Sequence, residues 1–165
     1  MTRGTPGIAP GRCSTRGKVR RVTIRVEVLS EVTDEVVEAF GRLLPQLSRS
    51  AKPLDAAAIK ALVASPEVMV LLARSDGRIA GSLSLVLFQI PTGRRAWIED
   101  VVTDEAARGQ GIGSLLTREA IRLAKEYGAR TVDLSTRPAR EAAGRLYERE
   151  GFRQRDTRMY RYSLE

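Results

Sequence analysis

The run Arg108-Gly109-Gln110-Gly111-Ile112-Gly113 has the residue types and spacing of an anion site. It follows an apolar stretch, Trp97-Ile98-Glu99-Asp100-Val101-Val102-Thr103, that reads as a strand. It leads into Ile112, Leu115, Leu116, Ala120, Leu123, Ala124 and Tyr127, which recur at helical spacing up to Gly128, where a C-terminal cap is expected. The glycines therefore open a helix directly after a strand. A helix start carries unpaired N–H groups and the positive end of the dipole. Glycine lets an anion approach that backbone closely, and Arg108 adds a full charge, so the run suits a phosphate or diphosphate. A Walker A loop would end in Gly-Lys-Ser/Thr, which is absent. A Gly-x-Gly-x-x-Gly fingerprint fails in both registers: its last position falls on Ser114 counted from Gly109 and on Leu116 counted from Gly111. What remains is Arg-x-x-Gly-x-Gly at a helix start. The plainer alternative is a glycine-rich turn beside a basic residue.

The elements that must position this run are legible as alternating patterns. Residues 22–29 alternate apolar and polar side chains as a first strand. Asp34 is placed to cap a helix carrying Val36, Val37, Phe40, Leu43 and Leu44, with Pro45 near its end. Asp55 starts a shorter helix with Ile59, Leu62 and Val63. Residues 68–73 form a short buried strand, Asp76-Gly77 a two-residue hairpin turn, and residues 79–88 the returning strand, with Gly81 as a close-packing point. Pro91-Thr92-Gly93 turns the chain into the Trp97 strand. After the Ile112 helix come a strand over 131–135, a helix from Ala139, and two final strands at Phe152 and over 158–164. This order predicts a mixed α/β fold, antiparallel in its first half, with a crossover helix after the fourth strand.

Composition bounds the function classes. A chain of 165 residues suggests one domain. No run approaches a membrane-spanning length, which argues against a membrane partner, and no secretory signal is evident. Cys13 is the only cysteine, so no intrachain disulfide can form, and a reduced cytoplasmic setting is expected. It sits among residues that offer no activation of a thiol. With no histidine and no cluster at ligand spacing, no metal is expected. The net charge of +8 is concentrated in residues 1–21, which hold Arg3, Arg12, Arg16, Lys18, Arg20 and Arg21 and no acid. The remainder carries 22 basic against 20 acidic residues. Residues 1–21, rich in Gly, Pro, Thr, Ser and Arg, are expected to be a disordered tail, and 22–165 the folded domain. The tail has no aromatic residue to stack on bases, which argues against a nucleic-acid partner.

Arg-x-x-Gly-x-Gly at a helix start resembles the acyl-CoA loop of the GNAT superfamily of N-acetyltransferases. Leu146-Tyr147-Glu148-Arg149-Glu150-Gly151-Phe152, after the helical Ala139-Arg140-Glu141-Ala142-Ala143, resembles that family's second signature. The stretch from Ile98 to Asp104 is similar to the strand before the loop. The resemblance implies a mixed, mostly antiparallel sheet of about six or seven strands flanked by about four helices. It implies acetyl-CoA as co-substrate and direct transfer to a primary amine, with a small-molecule acceptor preferred. A protein amine, or a non-catalytic acyl-CoA sensor, are the alternatives. Many relatives dimerise, which leaves a homodimer open. By position, Arg108, Gly109, Gln110, Gly111, Ile112, Gly113 and Ser114 would hold the diphosphate. Val101, Val102 and Thr103 would line the pantetheine arm, Thr103 replacing the usual Val. Glu99 corresponds to the acidic position that serves as base. Asp100 is the second candidate, and as its neighbour in a strand it should face the opposite side. Pairing of Glu99 with Arg94 or Arg95 is the competing reading. Tyr147 corresponds to the acid that protonates the leaving thiolate, with packing beside Phe152 as its competing role. Arg140 replaces an Asn common in the family; it is left either to reach a phosphate or to face solvent.

Overall fold

The computed structural model describes residues 22–48 and 50–164. The basic tail 1–21, with Cys13, and Arg49 lie outside the described residues. Five strands form one sheet: β1 (Ile24–Val28), β2 (Val68–Ser75), β3 (Arg78–Ile90), β4 (Gly93–Thr103) and β5 (Val132–Leu134), in spatial order β1-β2-β3-β4-β5. Pairing is antiparallel from β1 to β4 and parallel between β4 and β5. The helices are α1 (Asp34–Leu47), α2 (Ala56–Ala64), α3 (Ile112–Glu126) and α4 (Glu141–Arg149), with a 3₁₀ turn at Glu105–Ala107. Because β4 and β5 run parallel, the chain must cross over between them, and α3 is that crossover.

Two cores sandwich the sheet. Leu71, Leu83, Leu85 and Ile98 pack against Ile112, Leu116, Ala120 and Leu123 of α3. On the other face Val70, Leu72, Ile79 and Val102 meet Val36, Phe40 and Leu43 of α1 and Ile59 of α2. Burial of β2 and β3 on both faces explains their nearly unbroken apolar sequence. The β2–β3 hairpin turns at Asp76 (φ 48°) and Gly77 (φ 88°), the two positive angles that a tight primed turn requires. Gly81 is a contact point: a Cβ there would lie 2.7 Å from Ile112 Cγ2 and 2.9 Å from the Val102 carbonyl oxygen.

Three expectations change. Thr33, not Asp34, caps α1, its hydroxyl accepting from the Val36 N–H; Pro45 stands near the helix end, as expected. Among the described residues the sheet has five strands, against the six or seven expected. The two strands expected at Phe152 and over 158–164 are not formed among the described residues. Phe152 packs against the α3-side core, and the residues beyond it are exposed. The three-residue β5 offers too short an edge for ladder bonds to offset the ordering of an arginine-rich segment.

Candidate active site

A bulge in β4 shapes the site. Ser82 pairs with Val102 and Ser84 with Glu99, so Asp100 and Val101 together oppose one residue of β3. Asp100 is left-handed at φ 50°, a rare conformation for a side chain larger than glycine's. The extra residue resets the alternation. Ile98 and Val101 pack toward α3 while Val102 packs toward α1. It also separates β4 from β5, which pair only over Ala96, Trp97 and Ile98. Beyond Ile98 the strands part, and a cleft of about 1100 Å³ opens between them.

Val101, Val102 and Thr103 border one side of this cleft, and residues 134–136 the other. The Asp104 N–H donates to Ala80 O on β3 at 2.8 Å. By alternation, the Thr103 N–H points away from β3, toward the cleft.

The glycine loop closes one end. Gly109 (φ 80°) and Gly111 (φ 82°) are both left-handed, and a Cβ added at either would meet nothing within 4 Å. Arg108 donates its N–H to Glu105 O, and the first helical bond into α3 runs from the Leu115 N–H to Gly111 O. Between them, the main-chain N–H groups of residues 109–114 meet no acceptor among the described residues. Six adjacent donors at a helix start, next to an exposed Arg108, form an anion cradle. The third glycine serves packing instead. A Cβ on Gly113 would lie 2.7 Å from Leu146 Cδ1, so its smallness seats α4 on α3. Gln110 alone of the loop residues is turned out of the cleft. Its side-chain oxygen accepts from the Ser75 hydroxyl at 2.8 Å and ties the loop to the end of β2.

The loop is anchored from below. Asp104 is 6% exposed; its carboxylate caps the 3₁₀ turn at the Ala106 N–H and accepts from Arg42 Nε at 2.8 Å. Arg42 also donates to Ile79 O at 2.6 Å, and Gln46 accepts the Glu105 N–H. The Arg42 guanidinium holds the Asp104 carboxyl below the usual aspartate value.

Glu99 and Asp100 both line the cleft, against the expectation of opposite faces, because the backbone passes from strand-like to left-handed between them. Glu99 does not pair with Arg94 or Arg95. It accepts from the Trp97 indole N–H at 2.7 Å, while Arg94 donates to Tyr127 O and Arg95 to Thr131. Burial, and then the neighbouring Glu99 charge, push the Asp100 carboxyl above its ordinary value. Tyr147 borders the same cleft and packs edge-on against Phe152 at 5.8 Å, so the tyrosine is both a packing residue and a cleft residue. Burial raises its pKa, opposed by the charge of Arg140 and reinforced by that of Glu99, so the phenol keeps its proton at neutral pH.

Leu47 and Ser48, at the start of the segment joining α1 to α2 that by resemblance borders the acceptor pocket, do line the cleft. Arg137, Arg145 and Arg149 also border it and escape a reading by sequence. Arg140 does not face only solvent: its guanidinium crosses to Leu47 O at 3.0 Å. The only hint in the sequence is the density of arginine between residues 137 and 149. No group of side chains suited to a metal ion occurs among the described residues, and no helix there is long and apolar enough to cross a membrane.

The model of the acetyltransferase (GNAT) family matches residues 30–152. The chain is 37% identical over 92 residues to the aminoalkylphosphonate N-acetyltransferase of Salmonella typhimurium, covering 54% of this chain and 59% of that protein. The match thus spans less than two thirds of that enzyme's length. The chain is 32% identical over 138 residues to glucosamine 6-phosphate N-acetyltransferase 1 of Oryza sativa subsp. japonica, covering 78% and 81%. The fold is similar to that of an aminoglycoside acetyltransferase from an uncultured soil metagenomic sample, with a TM-score of 0.76 at 19% identity over 86% of this chain and 97% of that one.

Proposed function

We propose that this chain, which belongs to the acetyltransferase (GNAT) family, moves an acetyl group from acetyl-CoA directly to a primary amine of a small molecule. The observation that carries this reading is the set of unpaired amides at residues 109–114, opening onto a cleft that also holds Val101, Thr103, Glu99 and Tyr147. The residues fit a CoA diphosphate: donors without acceptors, two glycines without Cβ obstruction, and an arginine alongside. The catalytic domain spans residues 22–165, and a reduced cytoplasmic setting suits it.

Acetyl transfer needs a free amine, a polarised carbonyl and a protonated leaving group. Glu99 and Asp100 supply carboxylates at the cleft wall, where one of them, directly or through water, takes the proton of the acceptor ammonium. The N–H group of Thr103 supplies a donor where the thioester oxygen gains charge. Tyr147, kept protonated by burial, gives its proton to the sulfur as the carbon–sulfur bond breaks and the carbon–nitrogen bond forms. A thiolate leaves readily, so no enzyme nucleophile is required.

The test is release of free thiol from acetyl-CoA by the purified full chain across a panel of primary amines. Amine-dependent release, lost in Tyr147→Phe, is expected. Stabilisation by CoA without release on any amine would replace this reading with that of a binding module.

A further inference from the structure

Six arginines but only two carboxylates line the cleft. Outside it Arg42 pairs with Asp104, Arg74 with Glu27 and Glu35, and Arg118 with Glu150, while Arg94, Arg95 and Arg130 donate to neutral oxygens. In the cleft, among the described residues, only Arg145 has an acid partner, Glu141 at 3.2 Å. The unmatched arginines are Arg108, Arg137, Arg140, Arg149 and Arg161, the last in the exposed segment after Phe152. Arg108 begins the glycine loop, and Arg149 adjoins Glu150, which is bonded to Arg118 of α3. Glu150 is also bonded to Ser114, which puts the Arg149 charge near the free amides, so these two arginines suit the diphosphate.

Arg137 and Arg140 stand elsewhere, on the connection from β5 to α4. They are joined through the backbone, the Arg140 N–H donating to Arg137 O at 2.8 Å. The Arg140 guanidinium spends one donor on Leu47 O, across the cleft, and its charge is felt at the Tyr147 hydroxyl. It therefore lies beside the proton donor to the reacting sulfur and between α1 and α4, where an acceptor must enter. A guanidinium has five N–H donors in a planar fork, so most of its capacity is unspent. Two like charges carried on one short connection at a concave surface repel, and an anion between them relieves that repulsion. At the same cleft Glu99 and Asp100 suit an ammonium group.

We propose that the acceptor is an amine that also bears a phosphoryl-type oxyanion, a phosphate ester or phosphonate, gripped by Arg137 and Arg140 while its amino group faces Glu99 and Asp100. This rests on the acetyltransferase reading above. A tetrahedral oxyanion offers the paired oxygens that a guanidinium fork matches. Arg137 and Arg140 set specificity and take no part in the chemistry.

The experiment compares amines of matched length with the full chain and acetyl-CoA: 2-aminoethylphosphonate, the carboxylate β-alanine, and neutral ethanolamine. The phosphonate is expected to exceed ethanolamine in kcat/KM by about a hundredfold, mostly through KM, as two charge-assisted contacts would give. Arg137→Gln and Arg140→Gln should each lower that ratio about tenfold, and Arg140→Lys should restore part of it. Equal use of ethanolamine, equal use of β-alanine, or a ratio unmoved in both variants would overturn the inference. Should no amine release thiol, the acetyltransferase reading fails, and binding decides the inference separately. With CoA saturating the diphosphate end, 2-aminoethylphosphonate should raise the melting temperature of the parent and not of the two Gln variants. No rise in the parent would overturn it. A CoA-induced rise retained in each variant shows that it is folded.

Discussion

Gly81→Ala isolates the contact on which the diphosphate end of the cleft rests. The added Cβ would lie 2.7 Å from Ile112 Cγ2, 2.9 Å from Val102 O and 3.3 Å from Leu116 Cδ1. Carbon atoms rest at about 3.5–4.0 Å, so the first turn of α3 must move out by about an ångström. The Val102 carbonyl belongs to a paired strand and cannot rotate away. Overpacking of this kind costs up to about 3 kcal/mol, and the loss of glycine's freedom in the unfolded chain returns up to about 1 kcal/mol. The net expectation is a loss of about 2 kcal/mol, or about 4–8 °C in melting temperature for a domain of this size. Ile112 is the first residue of α3, so the displaced turn is the one that carries the free amides. Thermal denaturation, with and without CoA, should therefore show both a lower melting point and a weakened CoA-induced rise. Gly41→Ala is the control. It sits in α1 with nothing within 4 Å of its Cβ position and should gain up to about 1 kcal/mol. If Gly81→Ala melts at or above the parent while Gly41→Ala behaves as stated, the packing argument is wrong.

Other perturbations probe the site from different sides. Gly111→Val places a β-branched residue at φ 82° and should abolish the stabilisation by CoA, about 2.7 kcal/mol at a hundredfold excess over Kd, as read by thermal shift. Tyr147→Phe keeps the ring against Phe152, so CoA binding should persist while kcat falls about a hundredfold or more in the thiol-release assay. Arg42→Ala leaves the buried Asp104 carboxylate without its partner and should cost about 2 kcal/mol in urea unfolding at pH 7. Because the folded Asp104 value lies below 3.8, that stabilisation is present above the ordinary aspartate range and lost as pH falls through the folded value, so parent and variant should converge in acid. Asp100 titrates the other way. Its folded value is raised, so the parent should lose stability relative to Asp100→Asn as pH climbs through it, a trend that melting curves from pH 4 to 7 would expose.

Much of the scaffold is readable because the signals are local. Asp76-Gly77 announces its turn, since few other pairs adopt two successive positive φ angles cheaply. Asp55 caps α2 through the Ala58 N–H, and the run before Gly128 is the amphipathic α3. The segment after Phe152 misleads, because alternation in 158–164 reads as a strand whether or not an edge is available to receive it. Glu99 and Asp100 mislead for a related reason: period-two alternation assumes a regular strand, and a bulge depends on the pairing partner.

Residue order alone is enough to specify the glycine-opened helix after a strand, the acid pair followed by a tyrosine, and the lack of any histidine to serve as base. These follow from short-range sterics and residue chemistry. It took the folded chain to turn Asp100 left-handed and bring both acids to one cleft, to commit Gly81 and Gly113 to packing, and to bring Arg137 and Arg140 into that cleft. Each of those depends on which distant backbone lies opposite, and contacts across the sheet leave no periodic trace along the chain.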